Sequence, residues 1–274
     1  MDNVEEINND LPDDVMWKIL KKCDFEGNCT QRISKTVSSM VRARCTTAKW
    51  TKPNSTFGPH HTSLALLRLC PALRSVDLSG SKITDITSLA ALTNLEYLDL
   101  HDTLVTDVTP LAALTGLMYL DLSFTRVADL TALAALTNLQ YLKLYCVRIT
   151  DVSPLAALTG LLYRFADVTP LTTLTNLEHL DMSYTWVNNL KPLAALTNLQ
   201  HLNLRGTRSS WPEYVNIEPL AALTNLRNLD LDDMYVINIK PLAALTNLRK
   251  LNLTFTEVTN LEPLAALTNL HTSI

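Results

Sequence analysis

Apolar residues in this chain return at fixed intervals. The phrase Ala-Ala-Leu-Thr-Asn-Leu and its variants end on Leu73, Leu95, Leu117, Leu139, Leu161, Leu177, Leu199, Leu226, Leu248 and Leu270, in steps of 22, 22, 22, 22, 16, 22, 27, 22 and 22 residues. Repetition at a fixed period of this length marks a stack of small structural units. One unit, Leu95 to Gly116, reads LEYLDLHDTLVTDVTPLAALTG. Its opening alternates as a short strand does, with Leu98 and Leu100 predicted inward and Tyr97, Asp99 and His101 outward. Val105 and Val108 point inward again, and Thr109-Pro110-Leu111 starts a tight 3₁₀ or helical turn. Proline suits a first helical position because its missing N–H has no partner there. The same slot holds Pro154, Pro170, Pro192, Pro219, Pro241 and Pro263.

Each unit ends on Asn or Gly, from Asn94 and Gly116 through Asn269. Both tolerate a left-handed backbone, so this slot is expected to be a helix C′ position. No unit can bury its leucines alone. Stacking buries them, at about 1.5–3 kcal/mol per leucine, and sets the strands in a parallel sheet with rungs about 4.8 Å apart. The pattern predicts an α/β solenoid: a horseshoe with a parallel concave sheet and short convex turns, spanning residues 59–274, after a small all-α region at 1–58.

The units ITDITSLAALTNLEYLDL and VTDVTPLAALTGLMYLDL resemble the 22-residue leucine-rich repeats of the internalin-like class. That resemblance implies a right-handed horseshoe that takes protein ligands on its concave face.

Two steps are irregular. The 16-residue step lacks six residues between Tyr163 and Arg164, including both inward strand leucines. The expectation is a pinched rung with Phe165 as substitute and a deficit of about 3–6 kcal/mol. The 27-residue step adds Ser209–Glu213. Trp211 in that insertion is either a binding knob or a cover for the repeat edge.

Outward strand positions fall into columns. Ser75, Tyr97, Tyr119, Tyr141, Tyr163, His179, His201, Asn228 and Lys250 form the first. Asp99, Asp121, Lys143 and Asp181 belong to the second, and His101, Tyr145 and Arg205 to the third, with Phe124 and Tyr184 beside it. A tyrosine ladder flanked by aspartates offers aromatic area at low entropic cost and favours a basic protein partner. Copying by duplication, without selection for a ligand, would leave the same columns. His179, His201 and Asp181 are a donor set that zinc accepts; exposed ladder neighbours explain them as well, and no metal or cofactor is assigned.

Composition narrows the function classes. The apolar fraction is 47% and the aromatic fraction 6%, so leucine and alanine carry the core. A net charge of −4 is too mild to imply nucleic acid for the whole chain. No Gly-rich phosphate loop, HExxH, GxSxG or paired-cysteine motif occurs, so no enzyme is expected. No stretch offers the ~20 apolar residues of a membrane span. The first residues, MDNVEEINND, lack the apolar core of an export signal, and the five cysteines include no CxxC pair. Both point to a reducing, intracellular setting, cytoplasmic or nuclear. The final LTNLHTSI stops within a repeat, so its open sheet edge is expected to self-associate or fray.

Residues 1–58 do not fit the repeat. Residues 1–26 hold eight acidic and three basic side chains, and residues 27–60 six basic and no acidic ones. LPDDVMWKIL (Leu11–Leu20) reads as a helix with Pro12 at its start, and a basic amphipathic helix is predicted near Gln31–Arg44. With Trp50, these segments resemble an F-box. They depart from it in the polar link KKCDFEGNCTQR and in the wide separation of Val37 from Trp50. An F-box implies docking to the adaptor subunit of a cullin–RING ubiquitin ligase through Leu11, Pro12, Val15, Ile19 and Leu20. The alternative is a helical cap over the first repeat.

Overall fold

A computed structural model describes residues 47–49, 72–147, 167–187, 189–207 and 214–271. The two predicted N-terminal helices, the five adaptor-facing residues, Tyr163, Phe165 and Trp211 lie outside them.

Among the described residues, nine three-residue strands form one parallel sheet whose spatial order is the sequence order. They are β1 (Thr47–Lys49), β2 (Ser75–Asp77), β3 (Tyr97–Asp99), β4 (Tyr119–Asp121), β5 (Tyr141–Lys143), β6 (His179–Asp181), β7 (His201–Asn203), β8 (Asn228–Asp230) and β9 (Lys250–Asn252). The middle residue of each strand from β2 to β9 is buried, as the alternation predicted. The sheet starts earlier than the repeat pattern: β1 falls in the region assigned to helices and pairs Thr47 with Ser75 and Lys49 with Asp77.

Behind the strands run turns such as Thr109–Ala113, all of them 3₁₀ among the described residues. The cause is spacing. Val108, Leu111, Leu114 and Leu117 recur every third residue, and a 3₁₀ turn eclipses positions i and i+3. Leu111 N–H donates to Val108 O and Leu114 N–H to Leu111 O, both at 2.9 Å, and all four side chains are buried.

The irregular step is resolved differently from the expectation. β5 pairs directly with β6, Tyr141 opposite His179 and Leu142 opposite Leu180. Among the described residues no rung stands between these strands, where the sequence columns placed one carrying Tyr163. The coil that opens with Leu139, Leu142 and Leu144 is closed by Val168, Leu171 and Leu174, all buried. Its turn sits on the previous one, with Thr173 Oγ1 donating to Ala134 O and Asn176 Nδ2 to Thr137 O, both at 2.9 Å. The physical reason is core continuity. A rung without its two strand leucines would leave a gap worth several kcal/mol, and direct pairing of β5 with β6 avoids it.

The Asn/Gly slot is also corrected. Among the described residues none of its asparagines has a positive φ. Their side chains instead form a ladder between coils: Asn138, Asn198, Asn225 and Asn247 donate Nδ2–H to the carbonyls of Thr115, Thr175, Thr197 and Thr224, each at 2.9 Å. These bonds satisfy turn carbonyls that would otherwise lack partners. The left-handed position lies just past each strand from β2 to β9: Gly80, Asp102, Phe124, Cys146, Tyr184, Gly206, Asp233 and Phe255 have φ between 52° and 66°.

Candidate functional site

The concave face carries two rows of rings. The first is nearly continuous. Tyr97 stacks on Tyr119 with centroids 4.3 Å apart, and Tyr119 is tilted against Tyr141 at 6.2 Å. Tyr141 stacks on His179 at 4.2 Å, and His179 on His201 at 4.1 Å. In-register parallel pairing produces this, because identical positions on successive strands lie about one ring thickness plus a van der Waals gap apart. Asn228, next in the column, meets His201 Nδ1 at 2.8 Å through Nδ2. Sequence columns contained Asn228, and its continuation of the row was legible there.

The second row follows the left-handed turn. His101, Phe124, Tyr145 and Tyr184 meet edge to face at centroid distances of 5.3, 4.8 and 5.6 Å. Arg205 ends the row. Its Nε donates to Tyr184 Oη at 2.9 Å and lies 3.2 Å from Asp232 Oδ2. Phe124, Tyr184 and Phe255 are 46%, 37% and 81% exposed, though each occupies a left-handed backbone. Such a conformation costs a bulky residue about 1–2 kcal/mol, and glycine fills the same slot at Gly80 and Gly206.

Between the rows runs the carboxylate column. Asp77, Asp99, Asp121, Asp181 and Asp230 each accept the N–H two residues on, at 2.9–3.1 Å. Asn203 and Asn252 do the same at 3.0 and 3.1 Å. In these seven strands the column supplies an amide or carboxylate oxygen to the turn, and the charge there is free for function. Lys143 breaks the column. Its Nζ is 3.5 Å from Asp121 Oδ2 and 5.5 Å from the Tyr119 ring centroid.

Electrostatics follow this crowding. Asp99 is pushed above the usual carboxylate range by burial, with Asp121 and Asp77 adding to the rise and the His101 N–H opposing it. Burial, then the neighbouring Tyr119, raises the Tyr97 phenol. The Tyr119 hydroxyl, then Asp121, keeps Lys143 protonated more firmly than usual. Burial lowers both stacked imidazoles, with His201 adding to the effect on His179 and Arg227 to that on His201.

The structure gathers the predicted Tyr97, Asp99, His101, Tyr119, Asp121, Phe124, Tyr141, Lys143, Tyr145, His179, Asp181, Tyr184, His201 and Arg205 on this one face. The half from Tyr119 to His271 forms an open trough of about 970 Å³. No group of three His, Cys, Asp or Glu residues among those described is placed to hold a metal ion. His179 and His201 lie face to face, 7° from parallel, so their nitrogens do not converge. Among the described residues, no helix is long and apolar enough to cross a membrane.

A family model for leucine-rich repeats in two copies matches residues 71–113. The chain belongs to the leucine-rich-repeat family. Within it, the fold and sequence are similar to internalin C2 of Listeria monocytogenes, at 32% identity over 80% of this chain and 85% of that one, with a TM-score of 0.62. The internalin inlF of the same organism is 31% identical over 77% of this chain and 63% of its own, with a TM-score of 0.56. A leucine-rich-repeat protein of Leptospira interrogans shares the fold at 18% identity and a TM-score of 0.66, over 92% of this chain and 61% of its own. No curated protein matched the sequence.

Proposed function

We propose that this chain is a non-catalytic receptor that holds a protein ligand against its concave face. The observation that carries this reading is the row of exposed rings at Phe124 and Tyr184. A bulky residue at positive φ lowers stability, and Phe124 and Tyr184 still leave 46% and 37% of their surface in solvent. Aromatic anchors presented to solvent are what interface hot spots require. A photo-crosslinking side chain placed at Phe124 or Tyr145 is expected to yield discrete protein adducts in cells, while one at the convex Ala113 yields none. Equal adducts from both faces would sink the reading.

The finer form of the proposal is an intracellular substrate receptor of the F-box type. Its support is the segment LPDDVMWKIL, which would dock the ligase adaptor through Leu11, Pro12, Val15, Ile19 and Leu20. The solenoid would then choose the target. Co-expression with the adaptor subunit tests it: the full chain should co-purify, and Leu11→Ala with Pro12→Ala should not. Absence of co-purification removes the ligase role and leaves a scaffold or inhibitor with a capped solenoid.

A further inference from the structure

We propose that the concave face over β3 and β4 is a seat for an arginine- or lysine-bearing polypeptide segment, with the cationic side chain lying over Asp99 between the Tyr97–Tyr119 stack and the His101–Phe124 pair. This rests on the protein-binding reading above and names the chemistry of the partner.

The chain's own cations show how this face holds a positive charge. Lys143 sits between the Tyr119 ring, at 5.5 Å, and the Asp121 carboxylate, at 3.5 Å. Arg205 sits 5.9 Å from the Tyr184 ring centroid and 3.2 Å from Asp232. In both cases a tyrosine, through its hydroxyl and ring, and an aspartate flank a cation that stays about half exposed.

Tyr97 and Asp99 on β3 repeat Tyr119 and Asp121 on β4 in register. The place that Lys143 takes beside Tyr119 is filled, one rung earlier, by Asp121 rather than a cation. Asp99 therefore has aspartates on both neighbouring strands, Asp77 and Asp121. The same rungs add Asp102 at the edge, and the outward positions of β3 and β4 contain no lysine or arginine. Burial raises Asp99 above its ordinary range, Asp121 and Asp77 add to the rise, and an arriving cation offsets the charge of these two neighbours. Stacked tyrosines form one wall of the seat, and the exposed Phe124 ring with His101 forms the other. An extended basic segment fits this acidic floor and these aromatic walls. A nucleic acid or an acidic peptide would be repelled.

The test uses the full chain and a fluorescent oligo-arginine peptide, with the isosteric, uncharged oligo-citrulline peptide as control. Asp99→Asn keeps the oxygen that accepts the His101 N–H, as Asn203 and Asn252 do in the same column. It should weaken oligo-arginine binding about tenfold, the scale of one charge-assisted contact. Asp129→Asn makes the same charge change on the far side of the coil, where Asn189 is the natural equivalent, and should leave binding unchanged. Equal weakening by both variants, or equal binding of the citrulline peptide, overturns the proposal. Selection from a random-peptide display library separates the two levels. Enriched peptides without basic residues, lost on Phe124→Gly, overturn the cationic seat and keep the protein-binding face. If no enriched peptide depends on Asp99 or Phe124, both fall.

Discussion

Replacing Gly206 by alanine probes how the second aromatic row is held. Gly206 has φ of +59°, and a Cβ there would meet Tyr184 Cδ1 and Cε1 at 2.6 Å. Two costs follow. Alanine in a left-handed conformation is about 1 kcal/mol worse than glycine. The Tyr184 ring must also swing away, losing its bond from Arg205 Nε at 2.9 Å and the cation–π contact. The ring also leaves its packing on Tyr145, which costs about 1 kcal/mol, while the surface contacts with Arg205 add little. The sum is about 2 kcal/mol, measured by urea unfolding followed by circular dichroism. In a Tyr184→Ala background only the backbone term remains, so the same substitution should cost about 1 kcal/mol. Equal costs in both backgrounds would show that the ring and the glycine do not communicate, and would refute the reasoning.

Deleting residues 148–163 joins Val147 to Arg164 and restores the 22-residue step between Leu139 and Leu177. Because β5 already pairs with β6, the deleted chain should keep its circular dichroism and its unfolding midpoint; loss of cooperative unfolding would contradict the direct pairing. Asp129 accepts the Thr131 N–H at 2.8 Å, and hydrogen bonds from the Thr131 hydroxyl and N–H lower its pKa. Asp129→Ala should cost about 1 kcal/mol and Asp129→Asn much less. The wild-type advantage over alanine is fully present above the unfolded carboxylate pKa and should fade as pH falls through the lowered folded value, read from urea midpoints at successive pH. His179 and His201 titrate below the ordinary imidazole value, so the unfolded chain takes up protons first. Their contribution is fully present above about pH 6.5 and is lost as pH falls through the folded values. His201→Asn should flatten that slope, and an unchanged slope would assign it to other groups.

The leucine period by itself determined the coil, because a residue recurring every 22 positions must occupy the same place in every turn of a stack. Alternation around Leu98 and Leu100 determined which side chains face out, so the tyrosine and aspartate columns could be written down from the sequence. The three-residue spacing of Val108, Leu111 and Leu114 left a 3₁₀ turn and a helical turn both open, and the eclipsed packing of buried leucines selected the first. Other features depended on contacts between distant residues. Asn138 and Thr115 belong to different coils, so the asparagine ladder is invisible to a reading of local backbone preference, which favoured a left-handed cap instead. The left-handed residues Phe124 and Tyr184 carry no glycine-like signature; only the shared turn geometry with Gly80 and Gly206 reveals them. The pairing of β5 with β6 was decided by the core as a whole. Two half-repeats in the sequence compete to close one coil, and the arrangement that leaves no gap between Leu142 and Leu180 is the one adopted. Local sequence fixes periodicity, whereas the partner of each buried or hydrogen-bonding group is chosen by the stack.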